Sequence, residues 1–205
     1  MGLRAAELVE RRRFDHRVVS GMRGPLFDFQ AYRTSADLQD SRDPVTRAED
    51  AGEVSKYQMT LRVPTLIGAG EFRPETVFGV DLDVRDYPLT EPLTWVVSDP
   101  VPWSPHFQKG SPICIGAEFW TARKGHVTLG DLVIHIARLL NWDEKGRGGG
   151  YVGWNPEAID HHAEHYRGRP LDPELQYPAL PTWLLGAPAE PISAFEIVEH
   201  RRLDG

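Results

Sequence analysis

Residues 110–116 read Gly110-Ser111-Pro112-Ile113-Cys114-Ile115-Gly116, and the reading of the whole chain grows outward from this piece. In an extended segment successive side chains point to opposite faces. Ile113 and Ile115 therefore share one face and Cys114 takes the other, so two isoleucines seated in a core aim the thiol away from it. Gly110 and Gly116 bracket the piece and allow backbone to approach closely. Lys109, Arg123 and Lys124 lie near it in sequence, and cations lower a thiol's pKa. An unperturbed thiol, at about 8.5, is only a few per cent thiolate at pH 7 yet remains a competent nucleophile. An exposed thiol in a loop therefore exchanges thioesters without a dedicated base. Cys114 is the sole cysteine, which excludes an intramolecular disulfide and a cysteine-based zinc site. The bland alternative for a lone cysteine is a small buried hydrophobe.

Before the cysteine the pattern is that of short strands. Leu26 to Tyr32 alternates Leu26, Asp28 and Gln30 against Phe27, Phe29 and Ala31, a strand with one buried face. Tyr57 to Ile67 reads as a second strand, Thr76 to Val84 as a third and Leu93 to Val97 as a fourth. Gly68, Gly70 and Pro74 break the second from the third, and Asp86-Tyr87-Pro88 with Pro92 forms a rigid turn. Short links between strands imply an antiparallel meander. The polar, acidic stretch 33–55 reads as a long surface loop with a helical turn in it. A helix over 3–17 precedes the strands, its apolar stripe supplied by Leu3, Ala6, Leu8 and Val9.

After the cysteine come helices. Thr128 is an N-cap with Asp131 three residues on, and Leu129, Leu132, Val133, Ile136, Leu139 and Leu140 recur at helical spacing. This helix over 129–140 is expected to be largely buried. Residues 145–150, Lys-Gly-Arg-Gly-Gly-Gly, are a breaker. Asn155-Pro156-Glu157 opens a further helix that ends near Arg167, before Gly168 and Pro170. From Arg169 the chain is rich in proline, with one more strand or short helix over Ala194 to Val198.

Composition narrows the function classes. Apolar residues at 40% suffice for a core, and no apolar run approaches the roughly 18 residues of a membrane helix. Met1 to Arg13 is polar, without the apolar centre of a secretion signal, which favours the cytoplasm. A net charge of −7 argues against nucleic acid as a partner. The basic cluster Arg11-Arg12-Arg13, with Arg4 and Arg17 near it, reads as a solvated helix face, or else as a docking surface for an acidic protein.

Helix, four-stranded meander, Tyr-Pro turn, proline-rich irregular segment, cysteine and buried helix, in this order, resemble the ubiquitin-conjugating enzyme family. Tyr87-Pro88 and Pro92 match the family's Tyr-Pro followed by Pro. Gly110-Ser111-Pro112-Ile113-Cys114-Ile115 is similar to its Gly-x-Ile-Cys-Leu, with one extra residue between Gly and Ile. Trp120 and Thr128-Leu129 stand where the family has a Trp-Ser-Pro stretch leading into a Thr-Leu helix, without the Ser-Pro. The resemblance implies an α+β fold with an N-terminal helix, a four-stranded antiparallel meander, an active-site loop and C-terminal helices. It places the catalytic domain at 1–168, with 33–55 as a surface insertion and 169–205 as a proline-rich extension.

The same resemblance implies the chemistry. Cys114 would receive a ubiquitin-like modifier protein as a thioester from an adenylating activating enzyme and pass it to an amine, a lysine of an acceptor protein. The family's His-Pro-Asn tripeptide ends eight residues before its cysteine; that position here is His106, within Ser104-Pro105-His106. In the family the Asn steadies the loop or donates to the oxyanion; an imidazole can donate too, or take a proton from the amine. A loop histidine that merely bonds backbone is the alternative. Asp143 and Glu144 fall near the family's acceptor-orienting acid, and an exposed acidic turn is the alternative for them. No cofactor, metal or membrane is called for. The departures and the tail resemble a bacterial branch found in phage-defence clusters.

Two readings compete with this one. His161-His162-Ala163-Glu164-His165 fits the inverted zinc-peptidase signature H-x-x-E-H, with Glu174, Glu190, Glu196 and Glu199 as the only later glutamates for a third ligand. A non-catalytic binding module of the same fold is the other, and a buried Cys114 would favour it.

Overall fold

A computed structural model describes residues 5–40, 42–121, 123, 125–143 and 154–185. Leu3, Arg4, Lys124, Glu144, the 145–150 breaker, Glu190, Ala194–Val198 with Glu196, Glu199 and the rest of the extension beyond 185 lie outside the described residues. Among the described residues no helix is long and apolar enough to cross a membrane.

The architecture is α+β, built on a four-stranded sheet in which every neighbouring pair is antiparallel. Its strands, in spatial order, are β1 (Phe27–Tyr32), β2 (Lys56–Leu61), β5 (Thr76–Asp81) and β6 (Leu93–Val96). In β1 the expected alternation holds: Phe27, Phe29 and Ala31 are buried while Asp28 and Gln30 are exposed. Register sets Phe29 opposite Met59 and Met59 opposite Phe78, so the apolar side chains of three strands meet on one face. On the other face Trp95 of β6 lies opposite Gly79 of β5. A Cβ at Gly79 would lie 2.2 Å from the indole, so only glycine lets the ring lie over the strand.

The second strand ends earlier than its apolar pattern suggests. It stops at Leu61, and residues 65–68 instead begin a separate hairpin, β3 (Thr65–Gly68) with β4 (Glu71–Arg73). Pro64 lies between the two and has no N–H to continue a ladder.

The apolar face is covered by two helices. The first, α1 (Ala5–Gly21), runs four residues beyond the expected end and buries Val18 and Val19 rather than a stripe centred on its first turns, where Ala6 is exposed. Its Arg11 is not a solvated cation. It is 5% exposed, bonded to Asp15 at 2.6 Å and to the Gly125 and Val127 carbonyls. Arg13 is exposed and paired with Glu10, so the basic cluster is split between interior and surface.

The segment 33–55 is more than a surface loop. It holds a short helix α2 (Ser35–Gln39) and a 3-10 turn (Ala48–Glu53), and it buries Val45, Ala51 and Val54. These apolar residues, spaced too irregularly to read as an element, seat the segment against α1.

After β6 the chain is irregular apart from a short helix α3 (Ala117–Thr121). Helix α4 (Leu129–Leu140) has the bounds its periodicity predicts. The capping box between Thr128 and Asp131 starts it, and Leu132, Val133, Ile136 and Leu139 pack into the core with the sheet's apolar face. Truncating one of these leucines would cost about 2–5 kcal/mol. Helix α5 (Pro156–Tyr166) opens on Asn155 as its cap and closes at Arg167, in the left-handed region. Beyond it, Leu175, Tyr177 and Leu180 pack on the core, and the last element among the described residues is the short helix α6 (Thr182–Leu185).

Candidate active site

The cysteine segment is an appendage of the sheet edge. Pro112 bridges to Trp95, and the Ile113 N–H donates to the Thr94 carbonyl at 2.9 Å. Ile113 and Ile115 are each 5% exposed, while Cys114 between them is exposed. The side-chain alternation of an extended chain thus places the thiol in solvent.

His106 grips the same residue twice. The Cys114 N–H donates to the His106 carbonyl at 3.0 Å, and His106 Nδ1 lies 3.1 Å from the Cys114 carbonyl. A carbonyl only accepts, so Nδ1 carries the proton, and in the neutral ring Nε2 holds the lone pair. Nε2 is buried. Both bonds go to backbone and neither to sulfur. The arrangement fixes the cysteine's main chain and leaves its side chain to solvent.

His135 of α4 is a functional candidate that the sequence reading passes over. Its Nε2 lies 2.7 Å from the Ile115 carbonyl, so here Nε2 is the protonated nitrogen. Its ring stacks on Phe119 of α3, with centroids 3.9 Å apart and planes 5° from parallel. The signal for it is the stripe Asp131, His135, Arg138, one polar face on an otherwise apolar helix.

The Tyr-Pro turn is tied to α1 and to α3, the helix that follows the cysteine segment. Tyr87 is buried and donates to Asp15 at 2.7 Å, and the Trp120 indole donates to the Pro88 carbonyl at 3.0 Å. The Trp154 main-chain N–H donates to the Pro105 carbonyl at 3.2 Å, which sets this half-exposed residue beside the His106 loop.

The remaining sequence candidates are engaged elsewhere. Lys109 lies 3.4 Å from Asp99, with both side chains exposed. Asp143 accepts from the Tyr177 hydroxyl at 3.0 Å; burial pushes that phenol up to about 12, so it stays a donor at neutral pH. Asn141 bonds the same Tyr177 and both exchanges with Asp172, tying the segment after α5 to the end of α4.

The H-x-x-E-H stretch makes an aromatic ladder. His161 and His165 share a face, but their rings stack at 4.1 Å, His165 Nδ1 bonds the His161 carbonyl, and His161 sits 5.2 Å from the Trp103 ring. His162 points inward, stacked on Trp142 at 4.0 Å. No group of three His, Cys, Asp or Glu able to hold a metal occurs among the described residues.

No family model matches the sequence, and no curated protein matches it. Among solved structures, that of human ubiquitin-conjugating enzyme E2 G1 is similar, with 16% identity and a TM-score of 0.43. The match covers 68% of this chain and 98% of that one.

Proposed function

We propose that this chain is a conjugating enzyme in which Cys114 carries a ubiquitin-like modifier as a thioester. The Cys114 thiolate attacks the thioester that joins the modifier to an activating enzyme. A new sulfur–carbon bond forms and the activating enzyme's thiolate leaves. An acceptor amine, a lysine, then attacks the carbonyl, loses a proton to solvent and expels the Cys114 thiolate, leaving an amide. One thioester replaces another at similar energy in the first step, so the second step carries the demand for orientation.

The observation that carries this reading is the hold on Cys114. Its thiol is exposed, its neighbours are buried, and its main chain is pinned by the residue eight positions earlier, where the resembling family has Asn. The nitrogen His106 uses, Nδ1, is as many bonds from the backbone as an Asn amide nitrogen. Histidine can therefore do the loop-steadying part of that Asn's work through the same donor position. With Nδ1 committed and Nε2 buried, His106 serves as a positioning group in this scheme rather than as oxyanion donor or base. Asp143 can orient an acceptor only by giving up Tyr177. A non-catalytic binding module gains no support from an exposed thiol.

The test is to mix the protein with an activating enzyme, its modifier and ATP. A reductant-sensitive adduct is expected, absent in Cys114→Ala and stable to reductant in Cys114→Lys. No adduct from wild type across activating systems, with the thiol open to alkylation, would leave the binding-module reading in its place.

A further inference from the structure

Consecutive peptide groups around Cys114 are held from three directions. The sheet edge holds the first through Ile113 N–H to the Thr94 carbonyl. The His106 residue holds the next two through Cys114 N–H and the Cys114 carbonyl. Helix α4 holds the one after, through His135 and the Ile115 carbonyl at 2.7 Å. That last peptide precedes Gly116, where φ is +79° and the chain turns away into α3. Without a donor there, the turn would be free to rotate the Ile115–Gly116 peptide and to pull on the one before it, which His106 holds. His135 is itself fixed, since its helix is anchored in the core and its ring lies flat on Phe119.

We propose that His135 is a positioning residue for the chemistry at Cys114. Its Nε2–H locks the Ile115–Gly116 peptide, one beyond the peptide that His106 holds, and so steadies the segment from which the thioester projects toward the incoming amine. The inference rests on the thioester reading above and assigns that reading a residue outside the loop, on the buried helix. Loading, an exchange of like bonds, is expected to be little affected. Amine attack requires approach along one line to the carbonyl, so it is the step that suffers when the carbonyl's carrier can turn.

Three substitutions separate the hydrogen bond from the ring stack. His135→Phe keeps a ring on Phe119 and loses the donor. His135→Gln loses the ring but places an amide nitrogen at the reach of Nε2, whereas the Asn amide stops one atom short. Single-turnover discharge of the preloaded thioester to lysine is measured over a range of lysine concentrations, with loading rate and thermal midpoint alongside. The expected result is a maximal discharge rate about tenfold lower in His135→Phe, at unchanged half-saturating lysine and normal loading, with His135→Gln restoring most of it and His135→Asn not. If the wild type loads and His135→Phe discharges as fast, the role of His135 is overturned while the thioester reading stands. If the wild type never loads, both fall. Should His135→Phe fail to fold, equal discharge by the Gln and Asn variants overturns the proposal.

Discussion

The Tyr87 hydroxyl donates a 2.7 Å hydrogen bond to Asp15, 72 positions earlier in the chain. Asp15 is fully buried and also accepts from Arg11 and from the Leu129 N–H at 3.0 Å, so one carboxylate joins α1, the Tyr-Pro turn and the start of α4. Burial, then the Asp15 charge, raises the Tyr87 pKa well above its ordinary value and keeps it a donor. Asp15→Ala would leave Arg11 buried without its counter-charge, and is expected to cost about 3–5 kcal/mol. Tyr87→Phe removes one bond to a charged group and should cost about 1.5–3 kcal/mol. Urea unfolding measures both, and the double variant should lose less than the sum because the two share a partner.

Gly79 is linked to the cysteine segment through Trp95. Its neighbour across the strands, Trp95, covers it and bridges to Pro112, two residues before Cys114. Gly79→Ala would force the indole aside at a cost of about 1–3 kcal/mol. The expected signature beyond lost stability is a changed rate of Cys114 alkylation in native protein. An unchanged rate would mean that the Trp95–Pro112 bridge does not transmit the shift.

The size of the His106 effect distinguishes its role. If it holds the Cys114 carbonyl, His106→Ala loses about 0.5–1.5 kcal/mol, which is roughly a two- to tenfold slower discharge. Loss of an oxyanion donor would slow it about 10²–10³-fold. His106→Asn retains a donor at the Nδ1 position and should discharge nearly as wild type does. Discharge assays on the two variants decide, and a base would show instead as an Asn variant no better than Ala.

Stability should fall with acid through two histidines. His16 is buried edge-on to Phe29, with Nδ1 3.3 Å from the Tyr57 hydroxyl, and burial followed by the Arg23 charge lowers its pKa below 6.5. His162 is lowered chiefly by burial as well. A depressed histidine pKa means the unfolded chain binds protons first, so stability is full above about pH 6.5 and declines as the pH falls through the unfolded and then the folded value. Urea midpoints between pH 7.5 and 5 should show this decline, and His16→Gln should flatten part of it. An identical slope in the variant would remove His16 as a contributor.

Neighbouring residues along the chain determined a good deal. The apolar repeat and capping box of α4 set its bounds, and the Ile-Cys-Ile alternation set the direction of the thiol, because helix and strand geometry fix where successive side chains point. The end of β2 at Leu61 escaped the sequence reading, because the apolar residues on both sides of Pro64 continue the strand pattern. Tertiary structure alone decided the partners. Arg11 reads as a surface cation until Asp15 and two carbonyls more than a hundred residues away enclose it. His135 reads as the polar side of a helix until the Ile115 carbonyl arrives against it, and Asp143 as a free acid until Tyr177 takes it. A hydrogen bond depends on two groups meeting in space, and for groups far apart in sequence that meeting is set by how whole faces pack, which no local pattern encodes.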